Sequence, residues 1–171
     1  FTLEKDITYE QAVERMFEML GDWKIMALAS SVNDYVMVRN VSCLFYDEKI
    51  WFKTDKNFRK TKQLLENPHV ALCWSGVQVE GIAINKGLVV DEPDRRFEKG
   101  YKEHLWESYN KYSHEDTEIL IEIEPKYVES GIPVMRVTHS SIFIVILQNK
   151  TVEPKIYDQK YNKFPKKACI F

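Results

Sequence analysis

Cysteine, glycine and proline are scarce in this chain: 3, 6 and 6 among 171 residues. Cys43, Cys73 and Cys169 are too few for a disulfide scaffold and too far apart for a zinc knuckle, so they read as free thiols in a reducing compartment. The low glycine and proline content excludes a collagen-like or low-complexity chain. No run approaches the roughly 18 apolar residues of a membrane-crossing helix, and no basic segment precedes a short apolar one as in a secretory signal. A chain beginning at Phe1 is expected to have lost at least an initiator residue. Neither sign of charge dominates. The 24 Lys and Arg face 26 Asp and Glu, a net charge of −2, which argues against generic nucleic-acid binding while allowing one local basic site. These absences together predict a cytoplasmic protein with no nucleic-acid or membrane partner.

What is present suits one packed domain over residues 1–171: 44% hydrophobic and 29% charged residues. Thr8 and Gln11 have capping-box spacing, and Ala12, Val13, Met16, Phe17 and Leu20 follow at helical period up to Gly21. The period then shortens. Residues 23–30, 35–45 and 49–54 read as strands joined by Asn33-Asp34 and Asp47-Glu48, turns too short for a crossover helix, so they form an antiparallel meander. Asn57 is placed to cap a helix over 58–66 that Asn67-Pro68 ends. Strands follow at 70–74 and 78–90, with Gly81 and Gly87 at bends or close approaches. A helix opens at Pro93-Asp94 and carries Phe97, Tyr101, Leu105 and Tyr109 on one face. Further strands are expected at 118–123 and 141–147. The basic, aromatic stretch 155–171 reads as irregular. Six to eight mostly antiparallel strands with two main helices make a mainly β domain, and a small barrel with helices at its rim fits better than a sandwich.

The most informative stretch is KTDKNFRKTK, residues 53–62. Arg59 and Lys60 fall in the first turn of the expected helix, where the partial positive charge of free backbone N–H groups already favours an anion. Arg39 sits inside an otherwise apolar strand that folds back toward the same end, and its guanidinium suits bidentate phosphate contact. A bound phosphate or ordinary solvated charge both account for this pattern. No histidine pair has metal-binding spacing, and Ser30, Ser75 and Ser140 lack a hydrolase context. Glu80 reads as a structural carboxylate partnering Arg39 or a lysine, and Cys43 and Cys73 as small core residues.

The order helix, MALAS strand, VRNVSCLFYDEKIWFKTDKNFRKTKQLLENPHVALC and QVEGIA resembles the FMN-binding split-barrel family, the pyridoxamine 5'-phosphate oxidase-like group. The resemblance implies a split β-barrel and a homodimer with FMN in grooves at the subunit interface. It puts Arg39, Asn40, Val41, Lys53, Thr54, Arg59 and Lys60 at the cofactor: Lys53 and Thr54 beside the flavin ring, Arg59 and Lys60 on its phosphate. Three family positions depart. A serine before the Arg-Lys pair is Phe58 here, a second basic residue on the Arg39 strand is Leu44, and a flavin-contacting glutamine is Gly76. Residues 131–171 also lack the Arg-x-His element of the true oxidases. A vitamin B6 oxidase is therefore not expected, and the phosphate is anchored by fewer ligands.

The expectation is an FMN-dependent oxidoreductase acting on a small molecule, with no catalytic side chain and no metal. The alternative is a non-enzymatic flavin- or haem-binding protein of the same fold. Four Trp, nine Phe and nine Tyr are generous for a small barrel and favour a homodimer independently of the cofactor.

Overall fold

Thr8 starts the first helix as its spacing predicts. Its hydroxyl accepts from the Gln11 N–H at 3.2 Å, and Gln11 Oε1 accepts from the Thr8 N–H at 3.1 Å. This helix, α1 (Tyr9–Leu20), buries Ala12, Val13, Met16 and Leu20, and Gly21 ends it at φ +67. The computed structural model describes residues 8–112, 116–132, 141–146 and 150–155; the stretch from 156 on lies outside them.

Strands β1 (Trp23–Val32), β2 (Tyr35–Tyr46) and β3 (Lys49–Asp55) form the meander. Both connections are two-residue turns with φ between 49 and 63 at Asn33, Asp34, Asp47 and Glu48, the left-handed geometry that matches strand twist in a tight hairpin. Helix α2 (Arg59–Glu66) follows, then β4 (His69–Trp74) and β5 (Val77–Leu88). A short 3-10 turn leads to α3 (Arg96–His104) and α4 (Trp106–Tyr112), and β6 (Glu118–Ile132), β7 (Ser141–Ile146) and β8 (Thr151–Lys155) complete the chain. All strand pairings are antiparallel. The sheet order is β3-β2-β1-β4-β5-β6-β7-β8, and β3 also pairs with β6. That extra pairing closes β1 to β6 into a six-stranded barrel, leaving β7 and β8 as an extension from β6.

Alternation along the strands fills the barrel with Met26, Leu28, Val41, Cys43, Ile50, Phe52, Leu72, Val79, Ile121 and Ile123, all at 5% exposure or less. Burial drives the Cys43 thiol far up from its usual pKa, which keeps it inert. The buried stripe of α1 and Leu64 of α2 join this core. A second cluster lies outside the wall, where Leu44, Trp51 and Leu120 are covered by Phe97 and Tyr101 of α3 and by Val89.

Four expectations need correction. Asn57 does not cap α2. The N-cap is Phe58, which makes no side-chain cap bond, and Asp55 anchors the turn through its Oδ1 on the Asn57 N–H at 2.7 Å. The helix after Pro93 is two helices, because Leu105 (φ −134) leaves the helical region between them. The strand from Glu118 continues past Pro125: a register shift at Glu80/Gly81 lets it pass, with Pro125 opposite Gly81. A Cβ on Gly81 would lie 2.7 Å from the Glu124 carbonyl oxygen, so only glycine fits. Cys73 is exposed, because neighbouring Leu72 takes the inward position.

Candidate functional site

Helix α2 sits at the end of the barrel where β1 and β3 finish and β2 begins. Thr61 hydrogen-bonds Thr54 (Oγ1 to Oγ1, 2.9 Å) and donates to the Asp55 carbonyl at 2.6 Å, so the first turn of α2 is tied to the end of β3. Asp55 Oδ2 accepts from Thr117 at 2.8 Å, which fixes that end to the start of β6.

Arg39 shares the inward face of β2 with Val41 and Cys43, beyond the apolar core at the same end. Among the described residues its guanidinium meets neutral acceptors alone. Nη1 donates to Ser30 Oγ at 2.7 Å and to the Leu28 carbonyl at 3.3 Å, and Nη2 donates to Gln63 Oε1 at 3.3 Å. Lys60 lies close enough that the Arg39 charge, after burial itself, pulls its pKa below the ordinary lysine value. Burial lowers the Arg39 pKa as well. Lys60 Nζ stands 5.6 Å from the centre of the Phe58 ring, and the Arg59 guanidinium 5.4 Å from that of Tyr35. Among the described residues, no carboxylate pairs with Arg39, Arg59 or Lys60.

The structure thus puts Lys60 within the field of Arg39, with the Arg59 guanidinium on the Tyr35 ring at the start of β2; the other sequence-derived residues differ in where they lie. Asn40 points outward and is exposed; the Val41 side chain is in the barrel core. Thr54 is buried at 3% exposure against Thr61. Lys53 lies on the outer face of β3, under α3 and α4. Its Nζ is 2.7 Å from both Glu118 carboxylate oxygens and 4.9 Å from the Tyr101 ring centre. Both side chains of this pair are nearly buried, at 8% and 11% exposure. Glu80, expected to partner Arg39, is exposed on the other face of the wall from it, between the buried Val79 and Gly81.

Sequence reasoning missed Gln63 and Ser30 as parts of this cluster. The available signal was polarity at inward positions: Gln63 on the buried stripe of α2, next to Leu64, and Ser30 in register after Met26 and Leu28. Tyr46 was missed too. Its ring stacks on Trp51 at 4.8 Å and under Arg96 at 4.2 Å, while its buried hydroxyl has no hydrogen-bond partner among the described residues.

The family model for pyridoxamine 5'-phosphate oxidase matches residues 12–130. No curated protein matches the chain. Solved structures do. A pyridoxamine 5'-phosphate oxidase-related, FMN-binding protein from Nostoc punctiforme PCC 73102 is similar at 11% identity and a TM-score of 0.57, over 90% of this chain and 98% of that one. PhzG from Burkholderia lata 383, in complex with tetrahydrophenazine-1-carboxylic acid, gives 13% identity and 0.56, over 89% and 93%. A NimC/NimA family protein from Clostridium acetobutylicum gives 20% and 0.54, over 80% and 94%. At such identities the likeness is one of fold: the closed barrel with its helices. Among the described residues, no helix is long and apolar enough to cross a membrane.

Proposed function

The chain belongs to the pyridoxamine 5'-phosphate oxidase family, and we propose that it is an FMN-dependent oxidoreductase acting on a small molecule. One observation carries the reading. Arg39 of β2 and Lys60 of α2 are both partly buried, each within the field of the other, and among the described residues no carboxylate balances them. Two desolvated cations repel each other and lose hydration, so an anion completes the arrangement. The free N–H groups of the first turn of α2 add donors for phosphate oxygens. The residues present therefore fit a terminal phosphate, with Arg39 and Lys60 holding it and Arg59 at its rim.

When bound, FMN supplies the transfer of a hydride or electron pair. The chain's own part is to bind, orient and exclude water. The Lys53 charge is paired with Glu118 within the chain. Its role is to fix β3 against β6, and so to place Thr54 and the turn that leads into α2. Phe58, where the family pattern has a serine, gives Lys60 an aromatic face instead of giving the phosphate a hydroxyl.

A second copy of the chain completes the groove in this reading. Ile25, Val36 and Val38 are exposed at 52%, 63% and 66%, and the register of β1 and β2 puts them on one outward face beside Asn40. An uncovered apolar sheet face of this kind suits a symmetric partner.

The absorbance spectrum of freshly purified protein, with mass spectrometry of what denaturation releases, tests the cofactor. A flavin spectrum and FMN are expected; a Soret band or no chromophore overturns the reading. Stopped-flow mixing with a nicotinamide donor tests activity. Reduction within milliseconds to seconds is expected, and its absence leaves a flavin carrier of the same fold. Sedimentation at micromolar concentration is expected to give a dimer, and a monomer contradicts the shared groove.

A further inference from the structure

Gln63 is 8% exposed and makes three hydrogen bonds that link both arginines of the cluster. Its Oε1 accepts from Arg39 Nη2 at 3.3 Å and from Ser30 Oγ at 2.5 Å. Its Nε2 donates to the Tyr35 carbonyl at 3.1 Å. Tyr35 in turn lays its ring against the Arg59 guanidinium. One side chain therefore holds Arg39 directly and the backbone of Tyr35, the residue whose ring faces Arg59.

The chemistry of the acceptors matters as much as their position. A carboxylate at position 63 or 30 would grip the guanidinium more strongly, in a charge-assisted and often bidentate contact, and would cancel its charge. Elsewhere in the molecule cations are held in that way: Lys53 by Glu118, Arg96 by Asp47, Lys102 by Glu98. Around Arg39 all three acceptors are formally neutral.

We propose that Gln63, assisted by Ser30, is a positioning residue that orients Arg39 and Arg59 toward one anion while leaving their charges uncompensated, and so sets the preference for a phosphate-bearing flavin over its dephosphorylated form. This rests on the FMN reading above. Gln63→Glu tests it, because it keeps the shape of the side chain and replaces a neutral acceptor by a charged one. FMN and riboflavin are titrated into wild type and variant at one fixed, low salt concentration, following flavin fluorescence.

Wild type is expected to favour FMN. The variant is expected to bind FMN about tenfold more weakly, the usual weight of a hydrogen bond to a charged group, with riboflavin affinity changed by less than about threefold. An equal loss for both ligands makes Gln63 part of the fold alone and overturns the proposal, as does an unchanged FMN affinity. A wild-type chain with no preference for FMN over riboflavin overturns the phosphate reading itself, a failure visible before any variant is made. Should Gln63→Glu not fold, Ser30→Ala serves, since it removes the hydroxyl bonded to both Arg39 and Gln63. A loss of about threefold confined to FMN supports the proposal, and a loss absent or shared by riboflavin overturns it.

Discussion

Two groups of cations sit on the same barrel and are treated in opposite ways. Outside the wall, under α3 and α4, every interior charge has an opposite partner. Lys53 meets both oxygens of Glu118, and Glu98 gathers Arg95 at 2.9 Å, Lys102 at 2.8 Å and the Tyr109 hydroxyl at 3.2 Å. At the barrel end, the Arg39 charge is felt at Lys60, and among the described residues no carboxylate meets either; the Arg39 acceptors are neutral. The first arrangement holds elements of the fold to one another. The second carries an electrostatic cost in the ligand-free chain that an anion removes, the usual signature of a site where stability is given up for binding.

The comparison is tested most severely at Glu118. Replacing it with Gln takes the carboxylate away from the nearly buried Lys53 ammonium, and breaking a buried pair this way typically costs about 3 kcal/mol. Urea unfolding of Glu118→Gln is expected to show a loss of that order, and a loss under about 1 kcal/mol would mean that solvent reaches the pair freely. The double variant Lys53→Met with Glu118→Leu removes both charges and is expected to return to within about 1 kcal/mol of wild type, because apolar replacements of a buried pair are often neutral.

The barrel-end cations are expected to behave the other way. Arg39→Met weakens FMN binding by about tenfold to a hundredfold, through the loss of a charged bidentate donor. Lys60→Met weakens it by about tenfold. Neither is expected to behave like Glu118→Gln in the ligand-free chain. Lys60 has a lowered folded-state pKa, so the unfolded chain binds its proton more tightly. The charged lysine therefore costs stability at neutral pH, and that cost disappears as the pH rises toward 10.5. Lys60→Met is expected to leave the ligand-free midpoint unchanged or slightly raised at pH 7 and to flatten its rise at alkaline pH. Loss of stability comparable to Glu118→Gln would erase the distinction between the two regions.

What the sequence made legible was local or electrostatic. The capping box at Thr8, both tight hairpins and the break at Asn67-Pro68 depend on neighbouring residues, and the structure has them where the pattern put them. Arg59 and Lys60 stood out because like charge at a helix N-terminus is unfavourable without an anion. What the pattern hid depends on contacts between distant residues. Nothing near Pro125 reveals that Gly81 opposes it and lets β6 run on. Lys53 looked like a free cation of the basic stretch because its partner is 65 residues away. Gln63 acquires its partners only when β1 and β2 bring Ser30 and Arg39 against it. The closure of β3 on β6 was implied by the family likeness rather than by any period in the residues.

The smallest effect should come from Glu98, and it separates charge pairing from packing in the outer region. The Lys102 ammonium hydrogen-bonded to Glu98 is the main influence holding its carboxyl below the usual value; burial opposes it, and Lys102, Tyr109 and Arg95 add to the lowering. Because the folded-state pKa is depressed, the contribution to stability is complete above about pH 4.5 and fades as the pH falls through the folded value. The Lys102 and Arg95 side chains are exposed, at 42% and 50%, so solvent screens both pairs and the whole contribution is expected to be small. Glu98→Gln keeps a hydrogen-bond acceptor for Tyr109 and removes only the charge. Thermal midpoints of wild type and Glu98→Gln should therefore differ slightly at pH 7 and converge as the pH falls below the folded-state value. Curves that stay parallel across that range would assign the contribution of Glu98 to packing between α3 and α4, and would leave Lys53 and Glu118 as the main electrostatic link on that side of the barrel.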